Sequence, residues 1–107
     1  MDSKIQSLLL DLVKDLEKTR YKYDGYAYAR TIRNILTGNK DSSVADHFKD
    51  KYYYGVLNQL SLKDAEDLMD DMLKLNVLDC IFTEHGKLYC THEYYQSNAG
   101  KISTFRV

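Results

Sequence analysis

The chain of 107 residues is long enough for one domain with a modest core, and its formal charge is −1. A charge so close to zero implies no general attraction to nucleic acid or to acidic membranes. No stretch reaches the roughly 18 apolar residues of a membrane span, and the sequence starts without a signal-peptide pattern, so we expect a cytosolic or nuclear protein.

Charge is distributed unevenly along the sequence. Residues 1–40 carry 8 Lys/Arg against 5 Asp/Glu, residues 41–79 carry 4 against 9, and residues 80–107 carry 3 against 2. A face that binds nucleic acid would therefore draw on the first and last thirds of the chain, with the middle third turned away.

The first half of the chain shows two amphipathic helical patterns. Apolar residues from Ile5 to Leu16 predict a helix over residues 3–19. Residues 19–28 alternate aromatic and polar side chains, which indicates a turn or a short edge strand. Apolar residues from Ala27 to Leu36 predict a second helix that ends at Gly38, because glycine enters the left-handed conformation without steric cost.

The middle of the chain predicts a short helix, a loop and a long helix. Val44, Ala45 and Phe48 indicate a brief third helix, which we expect Asp41 or Ser42 to cap. Residues 50–60 read as a loop with three consecutive tyrosines. Ser61 and Asp64 form a variant of the capping box, which opens a fourth helix. Its predicted inner face is Ala65, Leu68, Met69, Met72 and Leu73, and its predicted solvated outer face is Asp64, Glu66, Asp67, Asp70 and Asp71.

The last third predicts a hairpin. Residues 77–83 and 87–95 have strand character on either side of Glu84-His85-Gly86. The tail after Ser97-Asn98-Ala99-Gly100 is short and is expected to form a final strand or to fray. The order helix, helix, short helix, helix and two-stranded wing predicts one α+β, mostly helical domain over residues 1–107. This is the layout of a winged helix, a helix-turn-helix with a C-terminal β-hairpin wing.

The turn between the second and third helices combines groups that bind anions. We expect it to expose free N–H groups, hydroxyls and a lysine, which together suit a phosphate. The candidates are Gly38, Asn39, Lys40, Ser42 and Ser43, with Arg30 and Arg33 extending a positive patch that Arg20 and Lys22 could join. A plain helix-capping turn uses the same groups, and the sequence leaves both interpretations open.

The cysteines and histidines of the hairpin region make a weak case for a metal. Cys80, His85, Cys90 and His92 are spaced C-x4-H-x4-C-x-H, which is not a common zinc spacing. If His85-Gly86 is a two-residue turn, Cys80 pairs with Thr91 and Glu84 with Lys87, so the two cysteines lie on opposite sheet faces. A three-residue loop would instead bring them opposite each other, and free thiols are the default expectation.

The histidines have different predicted places, and no catalytic motif accompanies them. We expect His47 on a half-packed helix face and His92 on a strand face. His85 falls at the hairpin tip, where it is either a simple exposed turn residue or a planar group that packs against a terminal base pair. The sequence has no phosphate-binding loop of the G-x-x-x-x-G-K-[ST] type and no nucleophile–base pair.

An ordered set of short motifs spans Thr31 to Leu78. It consists of the run from Ile32 to Lys40, Val44-Ala45-Asp46, Tyr54-Gly55, Leu60-Ser61, Leu68, Met72-Leu73 and Val77-Leu78. This set resembles the RQC domain of RecQ-family DNA helicases, and it is closer to the Bloom-type eukaryotic members than to the bacterial ones. The chain departs from the family pattern at Asn39 and Asp41, and its Gly55 loop lacks the second glycine and the lysine.

The resemblance implies a winged-helix module that binds duplex ends and forked DNA. It assigns the phosphate contacts to Thr37, Gly38, Asn39, Lys40, Ser42 and Ser43. It assigns the strand-separating wing tip to Glu84, His85 and Gly86, with His85 as the wedge.

The resemblance also implies a larger parent protein. That parent would be a nuclear, ATP-dependent DNA helicase of repair, recombination and replication, whose motor domain binds ATP and Mg²⁺ and which contacts other repair proteins. This domain itself is expected to hold no metal, cofactor or small-molecule substrate, to have no catalytic site and to bind no membrane.

Two other functions remain as alternatives. A winged helix could dock a protein partner through the acidic helix face of residues 64–71 and exposed tyrosines at residues 52–54. A sequence-specific regulator is less favoured, because the third helix carries Asp46 and His47 where base-reading Arg, Asn or Gln would be expected.

Overall fold

The computed structural model describes residues 2–23, 27–39 and 44–102, and the side chains within these ranges except those of residues 20–23 and 99–102. The elements in chain order are α1 (Ser3–Tyr23), α2 (Ala29–Thr37), α3 (Asp46–Lys49), α4 (Leu62–Lys74), β1 (Asp79–Thr83), β2 (Gly86–Cys90) and α5 (His92–Ile102). The chain is therefore α+β and mostly helical, with one antiparallel hairpin, as the sequence predicts. Within the described part of the chain, every helix is too short or too polar to cross a membrane.

The core lies where the apolar stripes of the helices meet the inner face of the hairpin. The stripes arise because apolar residues recur at about 3.6-residue spacing, which places them on one side of each helix. The predicted inner face of α4 is confirmed, since Ala65, Met69 and Met72 are buried. The other members of this core include Leu9, Leu12, Val13 and Leu16 of α1, Ile32, Ile35 and Leu36 of α2, and Ile81 and Leu88 of the hairpin.

The predicted end of α2 at Gly38 is confirmed. Gly38 has φ +63, and its N–H donates to the Ile35 carbonyl over 3.3 Å. A Cβ at this position would lie 3.2 Å from the Cα of Gly55, so the close approach of the two backbones also favours glycine. The Gly55 N–H in turn donates to the Ile35 carbonyl over 2.8 Å, which fixes the following loop against the end of α2.

The two predicted helix starts in the middle of the chain have different outcomes. The Ser61 cap is confirmed, because its Oγ accepts the Asp64 N–H over 3.1 Å. The prediction that Asp41 or Ser42 caps the third helix is wrong, since α3 begins at Asp46 with Ala45 as its N-cap and no side-chain cap. Residues 40–43 themselves lie outside the described residues.

The hairpin turns at Glu84-His85, one residue earlier than the two-residue turn considered from the sequence. Thr83 pairs with Gly86, and Cys80 pairs with Tyr89. Both predicted registers are therefore wrong. Gly86 has φ +112 while Glu84 and His85 keep negative φ, so the glycine supplies the left-handed position after the turn instead of within it.

Residues 27 and 28 add a short pairing to the free edge of β2. The Ala27 carbonyl accepts the Tyr89 N–H over 2.9 Å, and Tyr28 forms an isolated antiparallel bridge to Leu88. This segment agrees in part with the predicted edge strand. The first helix, however, continues four residues past its predicted end at residue 19 and reaches Tyr23.

The predicted second strand over residues 87–95 is too long. Strand β2 ends at Cys90, and α5 begins at His92, where the strand was expected to continue. His92 is consequently the first residue of a helix and not part of a strand face. Thr91 starts this helix, because its Oγ1 accepts the Tyr94 N–H over 3.2 Å. The expected final strand or frayed tail falls mainly on residues 103–107, which lie outside the described residues.

Candidate functional site

A cleft of about 740 Å³ lies between the start of α2, one face of α4 and the hairpin tip. Three parts of the chain meet here that are far apart in sequence. They are residues 28–31 and 33 of the α2 region, residues 66 and 70 of α4, and residues 85–87 and 89 of the hairpin. The cleft thus brings basic groups of the first and last thirds of the chain next to carboxylates of the middle third.

Two ion pairs cross the cleft. Arg33 Nη1 donates to Glu66 Oε1 over 2.5 Å, and Lys87 Nζ donates to Asp70 Oδ1 over 3.1 Å. The predicted outer face of α4 is therefore not wholly solvated, because Glu66 and Asp70 turn toward α2 and β2. The Tyr89 hydroxyl, which donates to Asp70 over 2.8 Å, and the Lys87 ammonium hold the pKa of Asp70 below its ordinary value.

The cations of the cleft are not all compensated. Arg30 is exposed and forms no ion pair with any residue that the structure describes. The guanidinium of Arg33 pairs through Nη1, while its Nε is buried and lacks a hydrogen-bond partner among the described residues. The cleft therefore presents one open positive charge beside two paired ones, which favours a singly charged anionic group over a run of phosphates.

Thr83 anchors the hairpin tip to the start of α2. Its hydroxyl donates to the Gly86 carbonyl over 3.0 Å and accepts the His85 N–H over 3.1 Å. Because the single hydroxyl proton is already used, the Tyr28 hydroxyl donates to Thr83 Oγ1 over 3.1 Å. The tip is therefore tied to α2 at a defined distance and does not stand free.

The side chains at the tip are exposed. The His85 side chain is 72% exposed and lies beside the Glu84 carboxylate, with Nε2 to Oε1 at 3.3 Å. The ring of Tyr28 meets that of His85 at 84°, with 6.4 Å between centroids. Phe82, two residues before Glu84, is 52% exposed, so two planar rings reach solvent at this end of the hairpin.

The predicted phosphate-binding turn is only partly described, and its described members already have partners. The Thr37 hydroxyl donates to the Arg33 carbonyl over 2.7 Å, and the Asn39 amide group donates to Asn34 Oδ1 over 3.2 Å. The backbone N–H groups of Gly38 and Asn39 close the end of α2. The expectation of free amides at these two residues is therefore wrong. Lys40, Ser42 and Ser43 lie outside the described residues.

A second polar cluster joins α1 to the tyrosine-rich loop. The carboxylate of Asp15 accepts from the Tyr53 hydroxyl and lies 3.2 Å from His47 Nε2, while the Tyr52 hydroxyl donates to Asp11 over 2.5 Å. Tyr53 is only 2% exposed and Tyr54 is half-buried, so the prediction of exposed tyrosines at residues 52–54 is confirmed for Tyr52 and is wrong for the other two. The bond to Asp11 raises the pKa of Tyr52 to about 12. These contacts hold the tyrosine-rich loop against α1, so we assign this polar cluster a structural role.

The two cysteines of the hairpin are free thiols whose surroundings favour the protonated form. Cys90 pairs with Asp79 and Cys80 with Tyr89, so the thiols lie on opposite sheet faces, as the predicted two-residue turn also implied. Burial raises the pKa of Cys90 to about 12 and also raises the pKa of Cys80. A protonated thiol is a poor nucleophile. Within residues 2–23, 27–39 and 44–102, no group of three His, Cys, Asp or Glu side chains could hold a metal.

Sequence reasoning missed Phe82 at the end of the hairpin and Lys87 in the lining of the cleft. Strand alternation contained the signal for Phe82, because a residue next to a buried Ile81 points to the other face of the sheet. Lys87 could not be placed without the register, which sets it directly opposite Phe82. The part that α4 plays in the cleft was missed for the same reason. Its ion pairs with α2 and β2 join residues far apart in the sequence, so no local pattern predicts them.

Comparisons of the chain with protein-family models, with curated proteins and with solved structures found no match. The cleft and the hairpin tip are the features on which a functional proposal for this chain depends.

Proposed function

We propose that this chain is a winged-helix module of the RQC type, which binds duplex ends and forks in DNA as part of a RecQ-family helicase. One observation carries the proposal, namely the two exposed rings of Phe82 and His85 at the end of the hairpin that follows α4. The order of four helices followed by a hairpin supports the winged-helix interpretation.

Planar aromatic rings at the end of a hairpin suit a function that does not depend on base sequence. An aromatic side chain stacks on a base of any identity, because every base has a π-face. The rings of Phe82 and His85 would pack on the last base pair of a duplex and thereby resist its passage. In the proposed parent helicase the ATP- and Mg²⁺-dependent motor supplies the force, and this module supplies the obstacle.

The hairpin is held in a way that fits this role. The Tyr28 hydroxyl bonds to Thr83 at one side of the tip, and Asp70 binds Lys87 and Tyr89 farther down β2. Because the hairpin is bonded to Tyr28 near α2 and to Asp70 of α4, it would resist bending when a duplex is pulled against its tip. Phosphate contacts in the proposal come from Lys40, Ser42 and Ser43, since Thr37, Gly38 and Asn39 are already bonded within the fold and Arg33 is bonded to Glu66.

The proposal is tested by fluorescence anisotropy at low salt with three labelled DNAs. These are a forked duplex, a blunt duplex and a duplex with both ends closed by loops. Wild type should prefer the open ends. The double variant Phe82→Ala/His85→Ala should lose about five- to tenfold in affinity for the open ends, which corresponds to the stacking of about one base.

The matched control is Tyr52→Ala, because Tyr52 is also an exposed aromatic residue at 64% exposure but contacts α1 and not the hairpin. This control should bind like wild type. The proposal fails if wild type does not distinguish open from closed ends, or if the double variant and the control bind equally well.

A further inference from the structure

We propose that the cleft between the hairpin tip and the start of α2 receives one unpaired nucleotide of the strand that leaves a duplex end, an inference that rests on the proposed function. The proposal names the place where the parted strand goes. It concerns the cleft beside the tip and not the outer surface of the tip itself.

The position of the cleft is the first argument. His85 belongs both to the exposed tip and to the cleft lining, so a strand that separates at the tip is already at the cleft mouth. Clefts of about 300–1,000 Å³ hold small organic ligands. A volume of about 740 Å³ therefore admits one nucleotide with its phosphate.

The ring geometry is the second argument. Tyr28 and His85 meet at 84°, which makes a corner of two aromatic walls. A base placed in this corner stacks on the face of one ring and touches the edge of the other. The Tyr28 hydroxyl bond to Thr83 holds one wall in place before the base arrives, which reduces the entropy lost on binding.

The charge pattern is the third argument, and it limits the site to one nucleotide. Arg30 carries the open positive charge at the cleft, and it lies two residues from Tyr28. The carboxylates of Glu66 and Asp70 are each occupied by a cation of the fold. They would repel a second phosphate that had no cation of its own. The cleft thus fits a single phosphate beside a single stacked base.

The affinity experiment compares one blunt duplex with the same duplex carrying an overhang of one nucleotide or of six. The one-nucleotide overhang should raise the affinity of wild type about fivefold over the blunt duplex, as expected for one stacked base. The longer overhang should add little more. Arg30→Ala should bring the ratio of overhang to blunt affinity close to one.

Lys63→Ala is the matched control for Arg30→Ala. It also removes one exposed positive charge, but from an i,i+4 pair with Asp67 away from the cleft. Its ratio should stay at the wild-type value. A ratio near one in wild type, a continuing rise with overhang length, or equal ratios in Arg30→Ala and Lys63→Ala would each overturn the inference.

A second measurement, the fluorescence of a base analogue, tests whether the base stacks between the rings of Tyr28 and His85. A 2-aminopurine in the one-nucleotide overhang should lose fluorescence on binding, because stacking quenches it. Tyr28→Phe keeps the ring and should keep the quenching, whereas Tyr28→Leu removes the wall and should abolish it. Unchanged fluorescence with wild type, or equal quenching in Tyr28→Leu, contradicts the inference.

The two proposals fail separately. If wild type prefers open ends but gains nothing from the overhang, the cleft has no role and the proposed function stands. If wild type does not distinguish open from closed ends, the proposed function fails and the inference falls with it.

Discussion

At the scale of single residues, His92 makes two hydrogen bonds that only its protonated ring can satisfy together. Its Nδ1 lies 2.5 Å from the Asp79 carboxylate, and its Nε2 lies 2.9 Å from the Asn76 carbonyl. Both partners are acceptors, so both ring nitrogens must donate. Asn76 has φ +58, a left-handed conformation that asparagine tolerates better than most residues. The imidazolium therefore braces the strained turn between α4 and β1.

This arrangement predicts a pH-dependent contribution of His92 to stability. The bond to Asp79 and then the bond to Asn76 raise the pKa of His92 in the folded protein above its ordinary value. The contribution is therefore complete below the unfolded pKa and is lost as the pH rises through the folded pKa. Because the side chain is 45% exposed, we expect less than about 1 kcal/mol.

Urea unfolding across a pH series measures the effect as the difference between wild type and His92→Ala. The difference should shrink as the pH rises above the ordinary histidine range. Asp79→Asn, which removes the main cause of the raised pKa, should flatten the pH dependence while leaving the ring in place. Parallel stability curves for wild type and His92→Ala would contradict the prediction.

At the scale of elements, the attachment of α5 depends on one residue pair far apart in sequence. The Thr91 N–H donates to Glu17 Oε2 over 2.7 Å, and its hydroxyl donates to Glu17 Oε1 over 3.0 Å. The same hydroxyl accepts the Tyr94 N–H within the first turn. The Glu17 carboxylate of α1 therefore accepts hydrogen bonds at the start of α5, and its negative charge interacts favourably with the positive end of that helix dipole.

Thr91→Ala is expected to destabilise the protein by about 1–2 kcal/mol, because it removes the cap and one bond to Glu17. Thr91→Ser keeps the hydroxyl and should cost much less. Ser61→Ala is a useful comparison, since that cap makes a single bond at the start of α4 and its loss should cost about 1 kcal/mol. Chemical denaturation measures all three variants, and equal stability of Thr91→Ala and Thr91→Ser would contradict the prediction.

The same pair explains why the sequence predicted α1, α2, α4 and the hairpin but not α5. The first four have local signals, such as the stripe of α1, Gly38 at the end of α2 and the Ser61 cap. Helix α5 has a local start signal in Thr91, but the contact that holds this start is with Glu17, which lies 74 residues away and leaves no trace in the local pattern. The bonded amides of Gly38 and Asn39 have a local cause, because a helix end with a left-handed glycine uses these N–H groups to cap its own last carbonyls.

At the scale of the whole molecule, folding pairs the basic first third of the chain with the acidic middle third. Arg33 binds Glu66 of α4, and Lys87 of the last third binds Asp70 of the same helix. The sequence predicted that the middle third would face away from a nucleic-acid surface, and its charge totals give no hint of these pairs. Fewer Lys and Arg side chains are therefore available to bind phosphate than the charge totals of the sequence suggest. The cleft that these ion pairs line could not be predicted from any single segment of the sequence.

This internal pairing predicts a shallow salt dependence of DNA binding. With about two to three phosphate contacts, log K should fall against log salt with a slope of about −2 to −3. Glu66→Ala frees the guanidinium of Arg33 and should strengthen binding and steepen the slope by about 0.9. Asp67→Ala removes the same charge from the same helix but frees Lys63, which lies away from the cleft, so its slope should match wild type. Anisotropy titrations of a forked duplex at several salt concentrations measure these slopes. A steep slope in wild type, or equal slopes in the two variants, would mean that the Arg33–Glu66 pair does not limit phosphate contact.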